Sequence, residues 1–147
     1  MKFTCTKNEL VQAVQIVSKA VSSKPQMPIL SGIYLNAYGN TIELQATDYE
    51  IGITCKIDAE IEEPGTIVLS GRYFQEVVRR LPGETIELEF DRNEQTVKIT
   101  SNSSNFNLLS LPANEFPVIK PLEGNTTFTI RDNIFRELIK KTVFACS

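Results

Sequence analysis

The stretch SGRYFQEVVRRLPG, residues 70–83, decides the fold because it is the clearest helix signal in the chain. Its apolar residues recur at helical spacing, and they are Phe74, Val77, Val78 and Leu81. Arg72 and Arg79 lie on the opposite side, and Pro82-Gly83 is a typical stop signal. The pattern predicts a short amphipathic helix with a basic, water-facing side.

The same signal occurs 64 residues earlier in the chain. Its apolar positions are Leu10, Ala13, Val14 and Val17. Each helix follows a strand-like segment and precedes three segments of period-2 alternation. These segments are residues 33–37, 42–46 and 51–57 in the first half and 86–90, 97–100 and 106–111 in the second. The sequence therefore predicts an α+β fold made of two strand-helix-three-strand halves.

The register between the halves is a choice between two alignments. The literal repeat TIEL, at 41–44 and 85–88, would match the second strand of one half with the first strand of the other. Aligning Thr41 with Thr96 instead makes Ile51 equivalent to Phe106 and Ile53 to Leu108. We expect the second register, because it preserves the apolar alternation.

A third copy of the strand-helix signal follows the proline-rich residues 111–125. Phe128-Thr129 matches Phe3-Thr4 at an offset of 125, and Phe135, Leu138 and Ile139 match the apolar face of the first helix. We expect a first domain at 1–120, a linker at 121–125 and the start of a second domain at 126–147. The chain is expected to be a fragment of a longer repeating protein.

Composition excludes several classes of protein. The chain has 147 residues, of which 41% are apolar and 22% charged, as in a globular protein. It has no histidine, which excludes catalytic triads that contain histidine, histidine general bases and histidine metal ligands. Cys5, Cys55 and Cys146 are far apart and form no zinc or disulfide pattern. We expect reduced thiols, a cytoplasmic location, no membrane span and no cofactor.

Charge is segregated between the predicted helices and the rest of the chain. Residues 7–24, 71–82 and 131–147 hold ten basic and four acidic residues, and the remaining sequence holds five basic and fourteen acidic ones. Helices packed on one side of their sheets would make that side positive. The alternative is that these are ordinary solvated helix surfaces.

Four sequence blocks carry a family resemblance. They are MKFT at 1–4, KPQMPIL at 24–30, ATDYEIGI at 46–53 and SLPANEFP at 110–117. In this order and spacing the chain resembles the bacterial DNA polymerase III beta subunit family of replicative sliding clamps. The resemblance implies the DNA clamp fold: repeated domains with helices on one side, antiparallel sheets on the other, and a head-to-tail dimeric ring with the helices lining the hole.

The resemblance also implies partners and site residues. Lys24, Arg72 and Arg79 would contact duplex DNA without sequence specificity, since phosphate contacts carry no base information. Tyr73, Phe106 and Leu108 would lie at the joint with a second clamp protomer, and the strand from Phe106 to Leu111 would be an exposed edge there. The clamp loader and DNA polymerase subunits are the other expected partners, and the clamp is a non-catalytic processivity factor.

Two alternatives belong to other classes. Asp48 and Glu50 form a D-x-E pair that strand alternation would place on one face, as in a metal-dependent nuclease. The competing interpretation is that Asp48 caps a hairpin turn. A structural repeat protein that binds an acidic peptide is the third possibility.

Overall fold

The computed structural model describes residues 1–22, 27–120, 124 and 126–146. The strands are β1 (Lys2–Thr6), β2 (Gly32–Tyr38), β3 (Thr41–Thr47), β4 (Gly52–Asp58), β5 (Glu60–Glu63), β6 (Gly65–Ser70), β7 (Thr85–Asp91), β8 (Thr96–Ser101) and β9 (Ser104–Leu111). The helices are α1 (Lys7–Val17), α2 (Gly71–Arg80) and α3 (Asp132–Thr142). Short 3₁₀ turns cover Ser18–Ala20, Pro28–Ser31, Ala113–Glu115 and Val143–Ala145. The predicted α+β class is confirmed.

The strands form one antiparallel sheet in which the two halves exchange their first strands. The order is β4-β3-β2-β6-β9-β8-β7-β1-β5. β1 pairs with β7 of the second half, and β6 pairs with β2 of the first half. Each leading strand therefore has one partner strand in the other half, so the two halves share one sheet.

Both predicted helix faces are buried against one core. Leu10, Val14 and Val17 of α1 are fully buried, as are Phe74 and Val78 of α2. The inward residues of the strands, such as Leu35, Leu44, Leu88 and Ile99, belong to the same cluster. α1 and α2 thus lie on one side of the sheet, and the 64-residue repeat of the apolar spacing is confirmed.

The first half contains a strand that the sequence pattern did not predict. β5 has the sequence EIEE, in which only Ile61 packs against the core. It pairs with β1 at the sheet edge, where Phe3 lies opposite Ile61. A charged edge strand of four residues has too little apolar alternation to be recognised.

The expected register holds in β3 and β8 but is wrong beyond them. Ile42 pairs with Ile57, whereas Val97 pairs with Leu108, so Leu108 corresponds to Ile57 and not to Ile53. The cause is loop length: residues 47–52 separate the paired Ala46 and Ile53, but residues 102–103 alone separate the equivalent Ser101 from its partner Ser104. The expected register is therefore shifted by four residues. An even shift leaves every side chain on the same face, so the apolar alternation cannot detect it.

Of the third strand-helix signal, the helix forms and the strand does not. α3 forms at Asp132–Thr142, but Phe128 and Thr129 are not in a strand. The equivalent strand β1 is held by two neighbours, and no strand in the described part of the chain pairs with residues 126–131. The prediction of a strand at this point is therefore wrong for this structure, because an extended segment needs a partner edge.

No helix among the described residues is long and apolar enough to span a bilayer.

Candidate nucleic-acid interface

α2 is an amphipathic helix whose polar side faces solvent. Its N-cap, Ser70, makes no side-chain cap bond, and Arg79 and Arg80 occupy the last turn. Cations at this end interact favourably with the helix dipole. Arg72 and Arg79 are both exposed, and the Arg72 side chain is 82% accessible. The predicted orientation of these two arginines, opposite the buried face, is confirmed.

α1 lies beside α2 and runs in the opposite direction. The backbone N–H of Lys7, at the start of α1, donates to the carbonyl of Glu84 just after α2, at 2.7 Å. At the other end, a Cβ on Gly71 would lie 3.1 Å from Val21, which follows α1. The two helices therefore present one continuous surface to solvent.

The charges on this helical surface are mostly positive. Residues 7–20 and 71–80 contain five basic and two acidic residues, for a net charge of +3. The nine strands contain three basic and eight acidic residues, for a net charge of −5. In the folded domain, positive charge is thus concentrated on the helices and negative charge on the strands.

Two of the basic groups on the helices have partners within the domain. The Lys7 ammonium donates to the Leu81 carbonyl, which it caps at the C-terminal end of α2. Arg72 lies 3.9 Å from Glu76 one turn later, an exposed pair of the kind that contributes little. Sequence reasoning missed the capping role of Lys7, because its partner is 74 residues away.

Each end of the helix pair has a shallow depression. One is lined by Lys7, Asn8 and Arg79, and the other by Ser70, Arg72 and Tyr73. The two are related by the 64-residue repeat, since Asn8 corresponds to Arg72. The structure thus brings Arg79 together with the start of α1, whereas Arg72 lies at the opposite end of the pair.

The predicted joint residues lie on β9 and α2. Tyr73 is 58% exposed and Phe106 39% exposed, whereas Leu108 is half-buried and packs against the core. Leu109, on the other face of the strand, is 72% exposed and is the apolar residue that the sequence analysis did not single out. Alternation could not predict this exposure, because it separates the two faces of a strand but does not show which face is buried.

β9 is an open edge along only part of its length. Val68 and Leu69 of β6 pair with Leu111 and Ser110, so β6 occupies the edge of the last two residues of β9. In the described chain, residues 104–109 pair with β8 alone. The expectation of an exposed edge from Phe106 to Leu111 is therefore corrected to residues 104–109.

Asp48 is a turn residue. Its Oδ1 accepts hydrogen bonds from the backbone N–H groups of Ile51 at 2.8 Å and Glu50 at 3.0 Å, and these bonds lower the pKa of its carboxyl. The hairpin-capping interpretation is confirmed. Among the described residues no group of three His, Cys, Asp or Glu is placed to hold a metal.

Lys24 lies outside the described residues, so its predicted role in DNA contact stays a prediction.

The chain resembles known proteins over its whole length. Residues 1–120 match the model of the DNA polymerase III beta subunit, N-terminal domain. A beta sliding clamp of Bacillus subtilis (strain 168) is 39% identical over all of this chain and 41% of that relative, and one of Vibrio harveyi is 34% identical over 99% of this chain and 100% of that relative.

Solved structures agree with these relatives. The crystal structure of the DNA polymerase sliding clamp from Bacillus subtilis has a TM-score of 0.93 and 38% identity, covering 98% of this chain and 40% of that one. The Caulobacter crescentus pol III beta structure has a TM-score of 0.91 and 34% identity, and the match covers 100% of this chain and 40% of that one. This chain spans about 40% of the length of these clamp structures. It belongs to the DNA polymerase III beta subunit family, the beta sliding clamps.

Proposed function

We propose that the chain is the N-terminal part of a DNA sliding clamp, a non-catalytic processivity factor that encircles duplex DNA and tethers the replicative polymerase. The observation that carries the proposal is the separation of charge in the folded domain. The helical pair has a net charge of +3 and the strands −5. In a ring with helices inward, this places the positive surface next to the DNA.

Contact with DNA would be electrostatic and independent of sequence. Arg72 and Arg79 are exposed on a helix whose other face is buried, so each can reach a phosphate. Phosphate contacts release counterions and position the protein but carry no sequence information. A sliding protein needs this kind of contact. Lys24 is proposed as a third contact on the family resemblance alone.

Ring closure would use the open part of β9. Residues 104–109 offer unpaired backbone groups to a second protomer, and Phe106 presents apolar surface beside that edge. We include Tyr73 and Leu108 in this joint on the resemblance, and we add the exposed Leu109. The clamp loader and polymerase subunits are the further proposed partners, and the proposed location is the cytoplasm.

The division of the chain follows from the same proposal. Residues 1–120 would form the first clamp domain, residues 121–125 a linker, and residues 126–147 the start of a second domain. The support is the apolar face of α3: Phe135, Leu138 and Ile139 are each about half exposed, at 51%, 50% and 49%. Their equivalents in α1 are buried under a sheet.

Fluorescence anisotropy with short duplexes tests the DNA contact. An open fragment should bind only in the non-specific range of about 10⁻⁴ to 10⁻⁶ M, and added salt should abolish binding. Two duplexes of unrelated sequence should give the same affinity. Tight binding that favours one sequence would contradict the proposal.

Analytical ultracentrifugation tests the joint in a chain of the relatives' length. Leu108→Asp should dissociate the dimer, whereas Ile57→Asp, at the equivalent half-buried position on β4, should not. Because Leu108 also packs against the core, circular dichroism must show that the variant is folded. A folded Leu108→Asp variant that stays dimeric would remove this residue from the joint.

A further inference from the structure

The segment after β9 crosses the outer face of the sheet, on the side away from α1 and α2. We name residues 112–120 the outer strap. Phe116 is its first anchor: the side chain is 5% exposed, and its ring stacks on Tyr34 with centroids 5.2 Å apart. Ile29, Leu30 and Val68 complete this second, smaller apolar cluster. Stacking and burial together hold the first half of the strap.

The second anchor is the side-chain amide of Gln45 in β3. Its Oε1 accepts the backbone N–H of Ile119 at 2.8 Å, and its Nε2 donates to the carbonyl of the same residue at 3.3 Å. One amide thus satisfies both backbone groups of Ile119, as a neighbouring strand would. Gln45 is 1% exposed, so without these bonds its buried amide would have unsatisfied hydrogen-bonding groups, which is energetically costly.

Glu43 fixes the orientation of this amide. Gln45 Nε2 donates to Glu43 Oε1 at 2.6 Å, so the nitrogen must face the carboxylate and the oxygen must face the strap. The other carboxylate oxygen accepts from Lys56 at 3.1 Å and from the Tyr38 hydroxyl at 3.2 Å. Desolvation raises the pKa of the Glu43 carboxyl, but the three hydrogen bonds outweigh it and leave the pKa below its usual value.

Gly52, the first residue of β4, provides the space for the strap. A Cβ at this position would lie 2.8 Å from Cδ1 and 3.2 Å from Cγ1 of Ile119. A Cβ here would force the Ile119 side chain to move, and the branched side chain of valine would also occupy the space beside it. Two neighbouring strands therefore contribute to holding the same strap residue.

We propose that Gln45, oriented by Glu43 and accommodated by Gly52, forms a clasp that fixes the point where the chain leaves the first domain. The clasp is a positioning device for the unit that begins at residue 126, and it does not depend on DNA binding. Phe116 alone would leave residues 117–120 free. A free segment of four residues has a root-mean-square span of about 11 Å, so the origin of the following unit would vary over that distance.

Hydrogen exchange at the Ile119 amide tests the contact directly. Gln45→Ala should speed exchange on the order of tenfold or more, since the amide loses the Gln45 Oε1 acceptor. Thr54→Ala is the matched control, because Thr54 is exposed and lies opposite Gln45 in the β3–β4 register. Gly52→Val should reproduce the effect from the other strand, which guards against a variant-specific folding defect. Protection at Ile119 that survives both variants would overturn the clasp.

A distance measurement tests the positioning role. Spin labels at Lys120→Cys and Asp58→Cys report the exit point relative to β4, in a chain carrying Cys55→Ala and Cys146→Ser. Cys5 can stay, because burial raises its pKa to about 12 and leaves it unreactive. Gln45→Ala should broaden the distance distribution by roughly 10 Å, and Thr54→Ala should leave it unchanged. Faster exchange at Ile119 with no broadening would show that the bonds do not position the chain.

Discussion

Reversing the charges of Arg72 and Arg79 separates the DNA contact from the stability of the domain. The Arg72 side chain is 82% exposed, and its pair with Glu76 spans 3.9 Å, which is worth about 0.5 kcal/mol at most. Glutamate at position 72 would gain about as much from the N-terminal end of the helix dipole as it loses by repelling Glu76. Glutamate at position 79 faces the unfavourable end and costs roughly 1 kcal/mol.

The double variant should therefore lower the unfolding free energy by only about 1 kcal/mol in a urea titration. Its effect on DNA should be much larger. Each lost phosphate contact reduces the slope of log Kobs against log salt by about 0.9, so the slope should fall by about 1.8. Anisotropy at several salt concentrations measures that slope.

Arg92→Glu with Lys98→Glu is the matched control, since it makes the same change in net charge on exposed residues away from the helices. The control should leave the salt slope unchanged if the helical surface binds DNA. An equal loss of slope in both double variants would mean that net charge alone is responsible and that the helical surface is not the DNA contact.

Three further predictions concern the fold. Phe74→Ala empties a fully buried site in α2 and should cost about 3–5 kcal/mol by urea unfolding. Gly83→Ala should cost about 1–2 kcal/mol, because φ is +81° and a Cβ would lie 2.7 Å from Asn102, whereas Gly124→Ala, which meets nothing within 4 Å, should be neutral. The stabilisation from the lowered pKa of Glu43 is present above its ordinary value of 4.5 and is lost as pH falls through the lower folded value. The difference in stability between the parent and Glu43→Gln should therefore shrink below about pH 4.5; a difference that stays constant with pH would contradict it.

The features that depend on local periodicity could be predicted from the sequence alone. The helical spacing of Phe74, Val77 and Val78 identified the buried face of α2 and, by exclusion, the exposure of Arg72 and Arg79. The same spacing 64 residues earlier identified α1, and the charge count followed once the helices were located. A side chain's face is set by its position in the repeat, so this information is present without any knowledge of the partner.

Which strands and backbone groups pair with each other could be seen only in the tertiary structure. The exchange of β1 and β6 between the halves, the pairing of EIEE as β5, and the match of Leu108 with Ile57 all depend on loop lengths and distant edges. The bond of Lys7 to Leu81 and that of Gln45 to Ile119 each join residues 74 positions apart. Alternation reports that a strand has a buried face, but the partner that satisfies its N–H and C=O groups is chosen by the packing of the whole chain.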